Sequence, residues 1–192
     1  QYENIKLDGA YSKGGFNGQL DINDPNGSLL VNGTINTATR IPTFNFLATI
    51  QQVRLNDLHL TKEYPQSELS LKLQANFTGG SIDEMNGDIR IDSLQLLSPE
   101  KDFRLSNLKM TSETRDAMHK RLTIISPSFH ASIEGNYSYR TLPLSLKQIL
   151  GRYLPSLMEQ KESKVQHTFT PENDFGFDLY LADAELFSSL FH

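Results

Sequence analysis

Apolar and polar residues alternate with a period of two along most of the chain. Ile5, Leu7, Gly9 and Tyr11 fall on one face of an extended segment, as do Phe16, Gly18, Leu20 and Ile22. Leu29, Val31, Gly33 and Ile35 follow, then Phe44, Phe46, Ala48 and Ile50. Leu69, Leu71, Leu73, Ala75 and Phe77 make the cleanest run, and Met85, Gly87, Ile89 and Ile91 continue it. Phe103 and Leu105, Leu122 and Ile124, and Phe129, Ala131, Ile133, Gly135 and Tyr137 keep the pattern, which Phe175, Phe177, Leu179 and Leu181 close. Asn, Asp, Lys, Arg, Gln, Ser and Thr lie between them. Such alternation predicts antiparallel strands with one apolar and one wet face.

Turn chemistry marks the joints. Lys13-Gly14-Gly15, Asp24-Pro25-Asn26-Gly27, Thr78-Gly79-Gly80 and Ser98-Pro99-Glu100 read as reversals. Short connections predict a meander, and no helical stretch separates the strands as parallel βαβ units would require. The alternation slips between Ile50 and Val53, and again between Ile91 and Leu94. Each slip is either a β-bulge, which inserts one residue and bends the sheet, or a break between two strands.

One helix is written in the other period. Leu146, Ile149, Leu150, Tyr153, Leu154, Leu157 and Met158 fall on one helical stripe. Pro143 suits its first turn, and Pro155 kinks or divides it. The expected organisation is therefore mainly β: a curved antiparallel meander over 1–142, an amphipathic helix over 143–160, a polar linker over 161–168, and a terminal strand with a short helix over 169–192. All belong to one domain. The helix either covers the apolar face as a core element or caps and gates it.

Composition narrows the function. Lys and Arg number 18 against 23 Asp and Glu, a net charge of −5. A nucleic-acid partner, which needs a basic face, is not expected. The absence of cysteine removes disulfides, thiolate metal sites and cysteine nucleophiles. Hydrophobic residues are 38% of the chain, so one buried sheet face is easier to supply than a thick core. No apolar run approaches the roughly 20 residues of a membrane helix. The opening at Gln1 reads as part of something longer. Phosphate-loop, nucleophile-elbow, zincin and dinucleotide-binding motifs are all missing. His59, His119, His130, His167 and His192 have no metal-ligand spacing, so no enzyme activity, metal or cofactor is expected. Asp92-Ser93-Leu94 and the N-x-Ser/Thr triplets at Asn26, Asn32, Asn76 and Asn136 carry no weight in so polar a chain.

A short pattern recurs: apolar, Asn/Asp/Glu, Gly, any residue, apolar. It appears as Leu7-Asp8-Gly9-Ala10-Tyr11, Phe16-Asn17-Gly18-Gln19-Leu20, Val31-Asn32-Gly33-Thr34-Ile35, Met85-Asn86-Gly87-Asp88-Ile89 and Ile133-Glu134-Gly135-Asn136-Tyr137. Asn-Gly often marks hairpin turns. Here the alternation keeps its phase across each glycine, which favours mid-strand positions on the apolar face. A mid-strand glycine packs nothing, but lets a sheet bend or another group approach the backbone. Gly9, Gly18, Gly33, Gly87 and Gly135 are the expected bend-permitting positions.

This punctuation resembles the AsmA-like repeats of the TamB (translocation and assembly module) family. The run from Ile133 through Tyr137, Tyr139, Arg140 and Pro143 to Arg152-Tyr153-Leu154-Pro155-Ser156-Leu157 resembles TamB proteins of Bacteroides-like bacteria. So does Phe177-Asp178-Leu179-Tyr180-Leu181-Ala182-Asp183 with Ala184-Glu185-Leu186-Phe187-Ser188-Ser189-Leu190. The resemblance implies a β-taco-like trough in the periplasm, on a parent chain anchored in the inner membrane by parts outside this segment. It also implies phospholipid acyl chains as cargo, an outer-membrane assembly barrel protein as partner, and a role in outer-membrane biogenesis without catalysis. The lipid-facing residues expected on this basis are Phe16, Leu20, Val31, Ile35, Phe44, Phe46, Leu69, Leu71, Leu73, Phe77, Met85, Ile89, Ile91, Phe129, Ile133, Tyr137, Phe175 and Phe177. Two alternatives stay open: a soluble periplasmic lipid or lipoprotein carrier closed over its helix, and a surface β-domain with a dry core.

Overall fold

The computed structural model describes residues 3–54, 56, 66–99, 102–116, 119–153 and 173–183. The strands are β1 (Ile5–Ser12), β2 (Gly15–Asp24), β3 (Gly27–Asn36), β4 (Thr43–Arg54), β5 (Glu68–Thr78), β6 (Asn86–Leu97), β7 (Asp102–Asp116), β8 (His119–Ile125), β9 (Phe129–Asn136) and β10 (Asp174–Leu181). They form one antiparallel sheet of 10 strands in chain order, with β1 and β10 at its open ends. A 3-10 turn, Ile82–Glu84, precedes β6, and helix α1 (Leu142–Tyr153) lies between β9 and β10 in sequence. The expected helix residues 154–160, the linker and the terminal helix fall outside the described residues.

The joints take the backbone conformations that their residues allow. Lys13 and Gly14 both have positive φ, 48° and 79°, as a two-residue turn between twisted strands demands. At the next joint the Asp24 carboxylate accepts the Asn26 and Glu3 backbone N–H groups, each at 2.9 Å. The Asn26 bond, then the Glu3 bond, holds this carboxyl below its ordinary range. A depressed carboxyl stabilises the fold above its unfolded value, about pH 4. That contribution is lost as pH falls through the lowered folded value. Amide-exchange protection at the β2–β3 turn should therefore fall on acidification below about pH 4, and Asp24→Asn should remove most of that dependence. An unchanged acid profile in the variant would refute the assignment.

Both phase slips are bulges within continuous strands. The β4–β5 register shifts between Ile50 and Val53, where Gln52 has φ 51° and donates its N–H to Ser70 Oγ at 3.1 Å. In β6 the extra residue is Asp92, since Leu73 pairs with Ile91 and Lys72 with Ser93. A third irregularity lies opposite it in β7, at Asn107 with φ 54°. It puts Leu105 and Leu108 on the same face, paired with Leu94 and Ile91. These three occupy one band across β4, β6 and β7, where the sheet gains twist, and the β7–β8 register shifts separately between Thr114 and Asp116.

The sheet curls about its apolar face and α1 sits against the C-terminal part of it. Leu150 packs with Leu105, Leu108 and Phe129, while Leu142 packs with Leu122, Ile133 and Tyr137. Asn173 ties the helix start to β10: its amide donates to Ser145 Oγ at 2.8 Å and Thr141 Oγ1 at 3.1 Å. Asp83, in the turn before β6, accepts Ser138 Oγ–H at 3.0 Å and the Tyr139 N–H at 2.7 Å. The β5–β6 connection is thereby clasped to the β9–α1 turn, across strands that a flat sheet would hold roughly 14 Å apart.

Candidate functional site

The strand register gathers the alternating residues into rows that cross the sheet. One row runs Gly9, Gly18, Gly33, Phe46, Ala75, Ile89, Met110, Ile124, Ala131 and Leu179, through all 10 strands without a polar side chain. Beside it run Leu7, Leu20, Val31, Ala48, Leu73, Ile91 and Leu108. On its other side are Tyr11, Phe16, Ile35, Phe44, Phe77, Gly87, Ser112, Leu122, Ile133 and Phe177. Beyond the bulges, Val53, Leu69, Leu96 and Phe103 extend the same face. Phe44 stacks on Phe77 with centroids 4.9 Å apart, and Phe46 meets Phe77 edge-on at 6.0 Å.

Almost every expected site residue lies on this face. Met85 is the exception: it caps the 3-10 turn ahead of β6, and its carbonyl accepts the Ser112 hydroxyl. The strand starts one residue later because that carbonyl is turned to a side chain instead of a ladder partner. Phe129, Ile133 and Tyr137 are buried, with exposures of 7%, 3% and 2%. Ile133 and Tyr137 pack with Leu142 and Phe129 with Leu150. Phe16, Leu20, Val31, Phe44, Phe46, Leu69, Leu71, Leu73 and Phe77 are half-buried, and β1 is exposed throughout. The face is therefore covered at one end and uncovered toward the other. Met110 and Leu108, which alternation in β7 could have revealed, complete it.

The glycines are explained by phenylalanine. Gly33 pairs directly with Phe46, Gly87 with Phe77 and Gly135 with Phe175. In each case a Cβ on the glycine would collide with the partner's backbone and Cβ. Phe16 lays its ring where side chains on Gly9 and Gly18 would stand. Gly87 and Gly135 add positive φ, 144° and 147°. Of the two uses a mid-strand glycine has, close approach is the one visible at these positions.

Under α1 a cleft of about 150 Å³ is lined by Ile124, Phe129, Ala131 and Ile133 from the sheet, Leu146, Ile149 and Leu150 from the helix, and Phe177, Asp178 and Leu179 from β10. At the end of the face where β8 starts, Lys120 points inward in phase with Leu122 and Ile124, and is 7% exposed. Its ammonium donates to the Tyr137 carbonyl at 2.8 Å. It also lies 5.8 Å and 5.9 Å from the ring centroids of Tyr137 and Tyr139. The Tyr137 hydroxyl is buried without a hydrogen-bond partner. Burial, with Tyr139 adding to it, pushes that phenol well above its ordinary range.

Among the described residues, ion pairs lie on the wet face and the rims, as in the Arg121–Glu134 pair at 2.7 Å and the Arg104–Asp102 pair at 2.7 Å. His119 bonds Asp116 at 2.8 Å, and both are exposed. Among the described residues no group of three or more His, Asp or Glu could hold a metal ion, and no helix is long and apolar enough to cross a membrane. His59, His167 and His192 lie outside them. What the arrangement offers chemically is apolar contact along rows and one buried cation at their end. Comparison of the chain with known protein families, with curated proteins and with solved structures finds no match.

Proposed function

We propose that this segment handles lipid without catalysis, as an apolar β-sheet trough of the TamB/AsmA-like kind. In this reading it works in the periplasm, in a parent chain anchored in the inner membrane, and serves phospholipid transfer and outer-membrane biogenesis. An outer-membrane assembly barrel protein is the proposed partner, and membrane contact is made by parts outside the segment. The observation that supports the reading best is the unbroken apolar row through all 10 strands, flanked from β2 to β5 by the half-buried Phe16, Leu20, Val31, Phe44, Leu73 and Phe77. An acyl chain gains about 0.8 kcal/mol for each CH₂ it buries there. Continuous rows let the chain slide with little change in that energy. The cleft under α1 favours a second reading, a soluble carrier holding one apolar ligand beneath its helix.

Photo-crosslinking of the purified segment to a diazirine-bearing phospholipid in vesicles tests the proposal. Leu71 is half-buried between Ile50 and Leu94 in the uncovered part of the face. Leu71→Glu should cut lipid capture by about tenfold, since a charge facing an acyl chain costs over a kcal/mol. The fold should survive, because water reaches this position. No capture by the unmutated segment would defeat the reading. Capture that survives Leu71→Glu but is lost on filling the cleft, as in Ala131→Phe, would favour the carrier.

A further inference from the structure

We propose that Lys120 and Tyr137 are the head-group contact of the apolar face, binding the anionic head of an amphiphile whose chain lies in the cleft under α1. The inference rests on the reading that this face takes acyl chains, and adds to it a preference for negative charge at one end. Lysine is almost never this buried unless paired. Among the described residues, however, no carboxylate oxygen lies within 4.0 Å of the Lys120 ammonium. Of the two acidic residues of the adjoining turn, Asp83 and Glu84, Asp83 is committed to Ser138 and the Tyr139 N–H, and in β9 Glu134 is committed to Arg121.

An ammonium carries three donors. One is used, on the Tyr137 carbonyl, and the tyrosine faces attract the charge without accepting a conventional hydrogen bond. The Tyr137 hydroxyl is a further buried donor, set beside Tyr139. Buried donors are normally satisfied. A phosphate or carboxylate oxygen would supply the Lys120 ammonium with both acceptor and countercharge.

Position decides what carries that anion. Lys120 pairs with Gly135, which pairs with Phe175, one row beyond Leu122, Ile133 and Phe177. Ile133 and Phe177 line the cleft. The rows are roughly 7 Å apart, the span of a head group and its first methylenes. Gly135 puts no side chain between Lys120 and Phe175.

Titration of the purified segment with dodecyl phosphate, dodecanol and inorganic phosphate, followed by calorimetry, tests this. The unmutated protein should bind dodecyl phosphate about tenfold or more tighter than dodecanol, the factor one charge-assisted hydrogen bond supplies, and bind inorganic phosphate hardly at all. Lys120→Met should erase the preference and leave dodecanol binding unchanged, while Tyr137→Phe should reduce it in part. Equal binding of the two alkyl probes by the unmutated protein overturns the head-group contact and leaves the acyl-binding face standing. Binding of neither alkyl probe removes that face, and the contact with it. Inorganic phosphate bound as tightly as dodecyl phosphate means an ion site with no amphiphile. Should Lys120→Met not fold, lysine ¹³C labelling of the unmutated protein serves instead. The Lys120 ε-carbon signal should move on adding dodecyl phosphate and stay put with dodecanol; a signal that ignores both overturns the proposal.

Discussion

Gly87→Ala and Gly135→Ala should each lower the thermal unfolding midpoint by roughly 5–15 °C. Each residue has positive φ, 144° and 147°, a conformation that costs an L-residue about 1–2 kcal/mol. Each also lacks space. A methyl on Gly87 would stand 2.6 Å from Phe77 Cα, and one on Gly135 would stand 2.7 Å from Phe175 Cα. The obstacle is backbone of the paired strand, which cannot swing aside as a side-chain tip can. Overpacking of this kind adds about 1–3 kcal/mol. Two other glycines serve as controls, because a methyl on Gly176 or Gly151 meets nothing within 4 Å. Gly176→Ala should be close to neutral. Gly151→Ala, inside α1, should stabilise by up to ~1 kcal/mol through helix propensity. Equal midpoints for all four variants would show that the glycine–phenylalanine pairs are not what demands glycine.

Leu122→Glu should unfold the segment near room temperature or cost roughly 4 kcal/mol or more, while Leu20→Glu should cost about 1 kcal/mol or less. Both residues are leucines in period-two strands, on the same face of the same sheet. Leu122 is 4% exposed, among Ile133, Tyr137 and Leu142, so a carboxylate there is buried without a partner. Leu20 is half-buried between Leu7 and Val31, and Leu7 is 64% exposed, so a carboxylate there can reach water. Urea unfolding measures both. Similar large losses at the two positions would mean that the β1–β5 end is a closed core, which is the dry-core alternative. Similar small losses would mean that α1 does not seal the other end.

Much of this was legible in the chain because strand alternation is local. Residues two apart share a face whatever the strand pairs with, so Leu69, Leu71, Leu73 and Phe77 declared their side before any partner was known. Turn chemistry is equally local, and Lys13-Gly14 reverses the chain where it was expected to. The helical stripe belongs to the same class, and its Leu146, Ile149, Leu150 and Tyr153 fall within α1. Contacts distant in sequence were not legible. That Gly33, Gly87 and Gly135 face Phe46, Phe77 and Phe175 depends on register, which only the folded sheet sets, and which in β9 and β10 pairs residues as far apart in the chain as Phe129 and Leu181. The slips at Ile50 and Ile91 fitted a bulge or a break equally, until a neighbouring strand supplied the ladder that makes each one a bulge. Alternation put Lys120 in phase with Leu122, yet only the β9–α1 turn, laid over it by the Asp83 clasp, buries the charge. Tertiary packing alone decided where the apolar face is covered, since α1 could close on either part of a sheet whose pattern is the same from end to end.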